Sequence, residues 1–324
     1  MEVISGISNW HLTFRREADH AVLLRAVTCD SAAVLPDALF GLPITELADH
    51  ALAPSARSVE GEELTITCGV PEGEFDNRNL CALTLPCHLQ KVGSYAFLNC
   101  RALEALRLSG ELDTLGADAF MNCRSFSRID LSCASLASCR TLALLVETFS
   151  NELSAVITQE DGSEIRLLFP EYREVTDENV PNHSFSYVIS GPGYPYHFLA
   201  EKKRISLSAY DALWEKFLSA EHDPLSALRM AWWRVRYPFA LAEEARAAYT
   251  DFLSRHCHEA LRLVLEEKDA SGLRLLLRWA EPSAEELSYA QQLSRSLSFT
   301  EASALLLEEQ HRRFPPARMR SFDL

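Results

Sequence analysis

No stretch of this 324-residue chain approaches the ~18 consecutive apolar residues that a bilayer-crossing helix needs. Insertion of a helix into a membrane is therefore not expected. Positive charge is also in short supply: 31 basic residues face 46 acidic ones, for a formal net charge of -15. A surface that acidic repels phosphate backbones and argues against nucleic acid as a partner. The opening run Met-Glu-Val-Ile-Ser-Gly-Ile-Ser-Asn-Trp has neither a basic n-region nor an apolar h-region, so it does not read as a secretory signal. The expectation is a cytoplasmic protein. Nine cysteines, an odd number, carry no Cys-x-x-Cys spacing, which speaks against both a disulfide framework and a zinc site. Also missing are the Gly-x-Ser-x-Gly elbow, His-Glu-x-x-His, the phosphate-binding Gly-x-x-x-x-Gly-Lys and the dinucleotide fingerprint. No enzyme, cofactor or metal centre is expected on these grounds.

What the chain does have is a repeat. Leu80, Leu103 and Phe126 are spaced 23 residues apart, as are Leu83, Leu106 and Ile129, and again Leu85, Leu108 and Leu131. Further along the unit the same interval links Leu89 to Leu112, Val92 to Leu115, Gly93 to Gly116, Ala96 to Ala119, Phe97 to Phe120 and Cys100 to Cys123. A degenerate earlier copy aligns Val34-Leu35-Pro36 with Thr84-Leu85-Pro86, and Leu47, Ala48, Ala51 and Leu52 with Val92, Gly93, Ala96 and Phe97. Residues 53–79 interrupt the array with an irregular strand in which Leu64, Ile66 and Cys68 alternate.

One such unit cannot bury its own apolar side, so the units stack, pair their strands and share a continuous core. Leu106 and Leu108 alternate as a strand does and point inward, while Leu112, Leu115, Ala119 and Phe120 close the coil from the other side. Gly93 and Gly116 mark either a bend with positive φ or a close approach of two backbones.

The units Leu85-Pro86-x-x-Leu89-x-x-Val92-Gly93-x-x-Ala96-Phe97-x-x-Cys100 and Leu112-x-x-Leu115-Gly116-x-x-Ala119-Phe120-x-x-Cys123 resemble the BspA-like class of bacterial leucine-rich repeats. The opening copy, Gly41-x-Pro43-Ile44-Thr45-x-Leu47, is similar to the first repeat common in that class. The resemblance spans about residues 33–132 and implies a leucine-rich-repeat solenoid. It also implies a protein-binding role, since members of the class are often surface proteins that bind host proteins.

The flanks differ. In residues 10–28, Trp10, Leu12 and Phe14 alternate, as do Val22, Leu24 and Ala26, which predicts a hairpin capping the first repeat. After Ser132 the period stops. Ala155 and Ile157, then Ile165, Leu167 and Phe169, alternate around Asp161-Gly162, a dipeptide that favours a type I′ hairpin turn. Phe185, Tyr187 and Ile189 suggest a further strand. The run Gly191-Pro192-Gly193-Tyr194-Pro195-Tyr196 reads as a turn covering this module's core, with an aromatic ligand lip as the other reading.

From about Ser208 the pattern is helical. Asp223-Pro224 reads as an N-cap with proline at the first helical position, and Ser283-x-x-Glu286 as a capping box. Leu241, Ala245, Ala248 and Phe252 share a helical face, as do Leu261, Val264 and Leu265, and then Leu273, Leu276 and Leu277. Leu275-Leu276-Leu277 recurs as Leu305-Leu306-Leu307 30 residues later, and over about 257–313 the pattern is similar to ankyrin repeats, which implies antiparallel helix pairs.

The fold class read from these patterns is α+β. Residues 1–32 are a β-hairpin cap, 33–139 a short leucine-rich-repeat β-solenoid, 140–205 a β-rich connector and 206–324 an all-helical domain of antiparallel pairs.

Several residue groups invite chemistry. His256-Cys257-His258 offers three ligands in a row, but neighbours on a helix point in different directions. Cys100 and Cys123 share one repeat position, where a small buried side chain fits. Cys133 with Cys139 and Cys81 with Cys87 lack metal-site spacing. Trp232 and Trp233 read as core anchors, with a binding patch as the other reading, since at least one of them points away from the main apolar face. Arg312, Arg313, Arg318 and Arg320 read as a solvated basic tail. The outward positions of the stacked strands are the candidate interaction face: Thr84, Arg107, Arg128 and Asp130, with Ala82 and Ala105 beside them. The function expected is a protein-interaction or scaffolding module whose partner is another protein. Two further readings are a secreted or surface adhesin and an enzyme with its site in the middle module.

Overall fold

The computed structural model describes residues 2–54, 58–179, 184–201 and 204–315. Contacts divide the chain into two units, Met1–Glu221 and His222–Leu324. The mixture of strands and helices is α+β, as the pattern implies.

The first unit opens with β1 (Glu2–Ser5), β2 (Trp10–Arg16), β3 (Ala21–Val27), β4 (Ala32–Val34), β5 (Ala38–Leu39), β6 (Leu42–Leu47) and β7 (Glu62–Thr67). The repeats supply β8 (Ala82–Thr84), β9 (Lys91–Val92), β10 (Ala105–Ser109), β11 (Thr114–Leu115) and β12 (Arg128–Cys133), followed by α1 (Arg140–Val146). Then come β13 (Leu153–Gln159), β14 (Glu164–Phe169), β15 (Arg173–Asn179), β16 (Ser184–Ser190), α2 (Tyr194–His197), β17 (Ala200–Glu201), β18 (Arg204–Ile205), α3 (Leu207–Ala212) and α4 (Trp214–Ser219).

Two ladders run along the solenoid. One sheet has the order β14-β13-β12-β10-β8-β4, parallel from β4 to β13 and closed by the antiparallel β14. The 23-residue period is its register: Ala82 pairs with Ala105 and Ala105 with Arg128. The other sheet continues the cap, β1-β7-β2-β3, into the parallel β6-β9-β11, where Leu47, Val92 and Leu115 align. The cap is wider than a hairpin because β7, from the interrupting segment, pairs with both β2 and β1. Trp10 ties it to the first rung, its buried indole donating to the Val34 carbonyl at 2.9 Å.

Between the ladders the side chains pile in layers. Phe97 and Phe120 stack at 4.6 Å with their planes 6° apart, and Phe126 and Phe149 extend the column. Gly93 and Gly116 serve close approach, not positive φ. A Cβ on Gly116 would lie 2.3 Å from the Ser94 nitrogen, and one on Gly93 2.5 Å from the Asp49 nitrogen. The left-handed residues are instead Tyr95 and Asp118, and Asn99 and Asn122, again one period apart. Asparagine tolerates that region better than most side chains, and Asn122 also donates to Asn99 at 2.9 Å.

The solenoid outlasts its period. Residue 139 is the expected end of the repeats, yet β13 pairs in parallel with β12, Asp130 opposite Val156, at a spacing of 26 residues. The return limb of this last turn is a helix: α1 buries Leu142, Leu145 and Val146, and Thr141 bonds both the Leu112 amide and the Ser109 carbonyl at 2.9 Å. A helical limb uses a different number of residues, so the sequence interval shifts while the ladder continues.

The hairpin β13–β14 forms around Asp161-Gly162, with a different turn from the expected type I′. Only Gly162 has positive φ. The loop has three residues, closed by Gln159 N–H to the Ser163 carbonyl at 2.9 Å, and the Asp161 carboxylate accepts the Ser163 amide at 2.8 Å. This is a turn followed by a glycine bulge.

From Leu207 onward every element is a helix, where an all-helical region was expected from 206, but α3 and α4 belong to the first unit. Tyr210 of α3 donates its hydroxyl to the Leu168 carbonyl at 2.6 Å, and Phe217 of α4 meets Tyr196 edge-on at 5.9 Å.

The second unit contains α5 (Pro224–Arg236), α6 (Glu243–Arg255), α7 (Cys257–Glu266), α8 (Ala270–Trp279), α9 (Ala284–Ser296) and α10 (Thr300–Arg313). Sequential neighbours pack as pairs, and α7 also meets α9 while α8 meets α10. Asp223 caps α5 by accepting the Ser226 amide at 2.7 Å, with Pro224 first in the helix. Ser283 and Glu286 form the reciprocal capping box of α9. The buried face of α6 is carried by Tyr249, Phe252 and Leu253. Ala245 and Ala248 lie half-buried at its margin, and Leu241 precedes the helix.

Candidate functional site

Parallel pairing without slippage keeps equivalent residues on one face from strand to strand. On the inward face of the long ladder Leu83, Leu106, Ile129 and Ala155 are buried in one row. The intervening residues face outward. One outward row runs Val34, Thr84, Arg107, Asp130, Val156 and Arg166; beside it lie Ala32, Ala82, Ala105, Arg128 and Ser154. Thr84, Arg107, Arg128 and Asp130 therefore come together on three adjacent strands.

Their charges interlock. Arg128 reaches both oxygens of Asp130, at 2.9 and 3.2 Å, and Arg107 approaches the same carboxylate at 3.8 Å. Asp130 is the more enclosed partner, 20% exposed, against 67% for Arg107 and 55% for Arg128. Two guanidinium groups around one carboxylate leave the centre of the face positive in a chain that is strongly acidic overall. Val156, Ser154 and Arg166 extend the face, and Arg166 bonds Glu164 at 2.5 Å. Sequence reasoning missed these three because β13 lies 26 positions after β12 instead of 23. Alternating Ala155 and Ile157 was the available signal.

The other singled-out groups sit in structural roles. Cys100 donates to the Leu52 carbonyl at 3.4 Å and Cys123 to the Phe97 carbonyl at 3.1 Å, each thiol tying one turn to the one before. Burial pushes both thiols upward, Cys123 to about 12. Cys133 and Cys139 are hydrogen-bonded side by side, and that bond together with burial keeps Cys139 protonated. Cys81 is half-buried and Cys87 exposed.

In the second unit the His256 ring lies 2.9 Å from the Phe252 carbonyl, Cys257 is buried, and His258 stacks on Tyr289 at 4.0 Å. These three residues do not converge, and among the described residues no three metal-ligating side chains gather. Trp232 and Trp233 are both buried, as core anchors are; although they point in different directions, α5 is enclosed on nearly every side. Arg312 and Arg313 both pair with Glu309, Arg312 at 2.6 Å, and are not a free basic tail. Arg318 and Arg320 lie outside the described residues.

A cavity of about 240 Å³ opens in the first unit where the Gly191–Tyr196 run meets α4. Gly193 lets the run lie against the Pro170–Glu171 backbone: a Cβ there would stand 1.9 Å from the Pro170 carbonyl oxygen. The walls are mainly apolar, with Pro192, Leu213 and Phe217 among them, and Tyr194 and Lys216 also lie along them. The run is thus both a cover over buried aromatics and the lip of a cavity. Beneath it His197 is fully buried, its ring nitrogens 2.9 and 2.8 Å from the Val146 and Pro170 carbonyls, and burial holds its pKa below the ordinary imidazole value.

Residues 69–155 match the family model described as the BspA type leucine rich repeat region, in 6 copies. Among solved structures, the leucine-rich-repeat protein of T. pallidum is similar at 15% identity over 40% of this chain and 76% of that one, with a TM-score of 0.22. No curated protein matches the chain. No helix among the described residues is long and apolar enough to cross a membrane.

Proposed function

We propose, from the premise that residues 69–155 form a BspA-type leucine-rich-repeat region, that the outward face of the long ladder is a protein-binding surface. The repeat family supports a protein-interaction role. The finer reading is a non-enzymatic interaction or scaffolding module, acting in the cytoplasm, whose binding centre is Thr84, Arg107, Arg128 and Asp130. The observation that carries it is the register itself: one outward residue per turn lines up across β8, β10, β12 and β13. A repeat array presents a continuous surface in this way, and successive turns can contact successive residues of a partner. Arginine suits such a face because its planar fork pairs with carboxylates and its stem packs on apolar surface. The positive centre favours an acidic segment of the partner. The odd count of nine cysteines supports a reducing compartment.

The test is quantitative affinity capture from the source cells with the unaltered chain and with the double variant Arg107→Glu, Arg128→Glu. Both side chains are solvent-exposed, so folding is expected to survive, which circular dichroism checks. A partner enriched by the unaltered chain is expected to fall about tenfold or more with the variant. Equal capture by both proteins of every enriched species would remove this face from consideration.

A further inference from the structure

The last turn of the solenoid brings two cysteines together, and the outward face of the ladder makes no use of them. We propose that Cys133 and Cys139 are a modification site: a small peroxide oxidises Cys133, Cys139 closes a reversible disulfide, and the bond clips β12 to α1.

The chain folds to make the pair. Cys133 is the last residue of β12, and Cys139 directly precedes α1. Between them Leu136–Ser138 form one 3₁₀ turn. There the Ser138 amide donates to the Ser135 carbonyl at 3.0 Å and the Cys139 amide to the Leu136 carbonyl at 3.2 Å, which brings the two ends of the loop together. Gly110, from the preceding turn, marks the meeting point. A Cβ on it would stand 2.6 Å from the Cys133 Cβ and 3.1 Å from the Cys139 Sγ. Both flanks are anchored outside the loop: the Glu160 amide donates to the Cys133 carbonyl at 3.1 Å, and the Arg140 amide to the Gly110 carbonyl at 3.0 Å. Disulfides need side chains that converge from neighbouring backbones, and these two do. Cys100 and Cys123 differ, because each thiol is engaged by a backbone carbonyl.

Reactivity divides between the partners. The Cys139 thiol donates to the Cys133 sulfur; that bond lowers the Cys133 pKa, against burial and Glu160, and raises that of Cys139. Thiolates attack peroxides and thiols do not, so Cys133 reacts first. Cys133 is 8% exposed, beneath a loop in which the small residues Ala134, Ala137 and Ser138 face solvent. The oxidant has a short path.

The steps balance. The Cys133 sulfur attacks one peroxide oxygen: an S–O bond forms, the O–O bond breaks, and the other oxygen leaves as water with the proton lost by Cys133. Cys139 then attacks the Cys133 sulfenic acid: the S–S bond forms, the S–O bond breaks, and the hydroxyl leaves as water with the Cys139 proton. Two thiols are oxidised, and one peroxide is reduced to two waters. A dithiol reverses the bond by exchange.

The experiment treats the reduced full chain with hydrogen peroxide, blocks the remaining thiols with N-ethylmaleimide and weighs the tryptic peptides by mass spectrometry. Both cysteines lie in one tryptic peptide, residues 129–140. It is expected to lose two hydrogens and take up no label, and dithiothreitol should restore both thiols. Hydrogen exchange in the first turn of α1 should slow on oxidation. In Cys139→Ser, dimedone should capture a sulfenic acid at Cys133; in Cys133→Ser, capture at Cys139 should be lower by about tenfold or more. Circular dichroism checks that the variants fold, and the unaltered chain tests the bond without them. A peptide that keeps both labels while the exposed Cys68 and Cys87 are oxidised would overturn the proposal. So would a bond from either cysteine to a different one, or equal dimedone capture in the two folded variants.

Discussion

In the solenoid, polar groups of one turn bond the neighbouring turn; in the helical unit, several helix N-termini are satisfied by caps from their own first turn. The Gly116 amide donates to Val92 at 2.8 Å, the Cys123 thiol to Phe97 at 3.1 Å and the Asn122 amide to Asn99 at 2.9 Å, each crossing one repeat. In the second unit Asp223 caps through Ser226, Asp269 through Gly272 and Ser283 through Glu286, each within three residues. The apolar layers follow the same division. Phe97 stacks on its own equivalent, whereas α7 to α10 bury leucines of differing spacing against one another. Stability in the first region is therefore coupled between neighbours, and damage should spread along the ladder. In the second region damage to a cap should stay local.

The largest test of this contrast is Phe97→Ala, which removes one ring from the column and should cost about 3–5 kcal/mol in urea melts. Hydrogen exchange should show protection lost in the turns on both sides of β9. A loss well under 1 kcal/mol would contradict the stacking. Next is Gly116→Ala, whose methyl group meets backbone at 2.3 Å; forcing atoms into a filled space costs about 1–3 kcal/mol. Asn77→Ala should fall in the same range. That buried side chain accepts from the Thr28 amide and donates to the Ala26 and Leu52 carbonyls, all at 2.8 Å, so its loss removes a hydrogen bond from each of three backbone groups.

In the helical unit Ser283→Ala should cost about 1 kcal/mol, the usual value of an N-cap, with exchange accelerated only in the first turn of α9. Asp269 gives the smallest and most pH-specific effect. Burial opposes its ionisation, but Arg236 at 2.7 Å, the Gly272 amide and Ser271 outweigh that and hold its pKa at about 2. A carboxylate depressed in the folded state stabilises it above the unfolded pKa, and that contribution fades as pH falls toward the folded value. The advantage of the unaltered chain over Asp269→Asn should be about 1 kcal/mol at neutral pH, after allowance for solvent screening. It should shrink between about pH 4 and pH 2. An advantage that is flat with pH would mean the ion pair contributes nothing.

The same contrast explains how far the sequence could be read. A strict interval is visible without coordinates, so the ladder register and the meeting of Phe97 with Phe120 follow directly from spacing. The caps were legible too, because Asp223-Pro224 and Ser283-x-x-Glu286 are local chemistry. Legibility ended where the return limb changed from turns to α1: the interval lengthened, and β13 with Val156 dropped out of sight although the ladder continued. The turn at Asp161-Gly162 differs from the type I′ form because the strand register selects a three-residue loop, a choice the dipeptide does not make. Trp232 and Trp233 were legible as core anchors, but not that both sides of the helix are covered, because a helical face predicts one buried side whereas α5 is surrounded. Of the two sites, the outward row was visible as alternation within strands. The cavity was not. It depends on Pro170 admitting Gly193 and on Tyr196 meeting α4, contacts made across tens of residues.

The most direct measurement is photo-crosslinking from a benzophenone amino acid placed at Arg107 on the ladder face, compared with Thr114 on the other sheet. The expected result is a partner captured from position 107 in source cells and lost when Arg128→Glu is added, with no capture of that species from position 114. Capture of the same species with equal yield from both positions would contradict a binding face built by the long ladder.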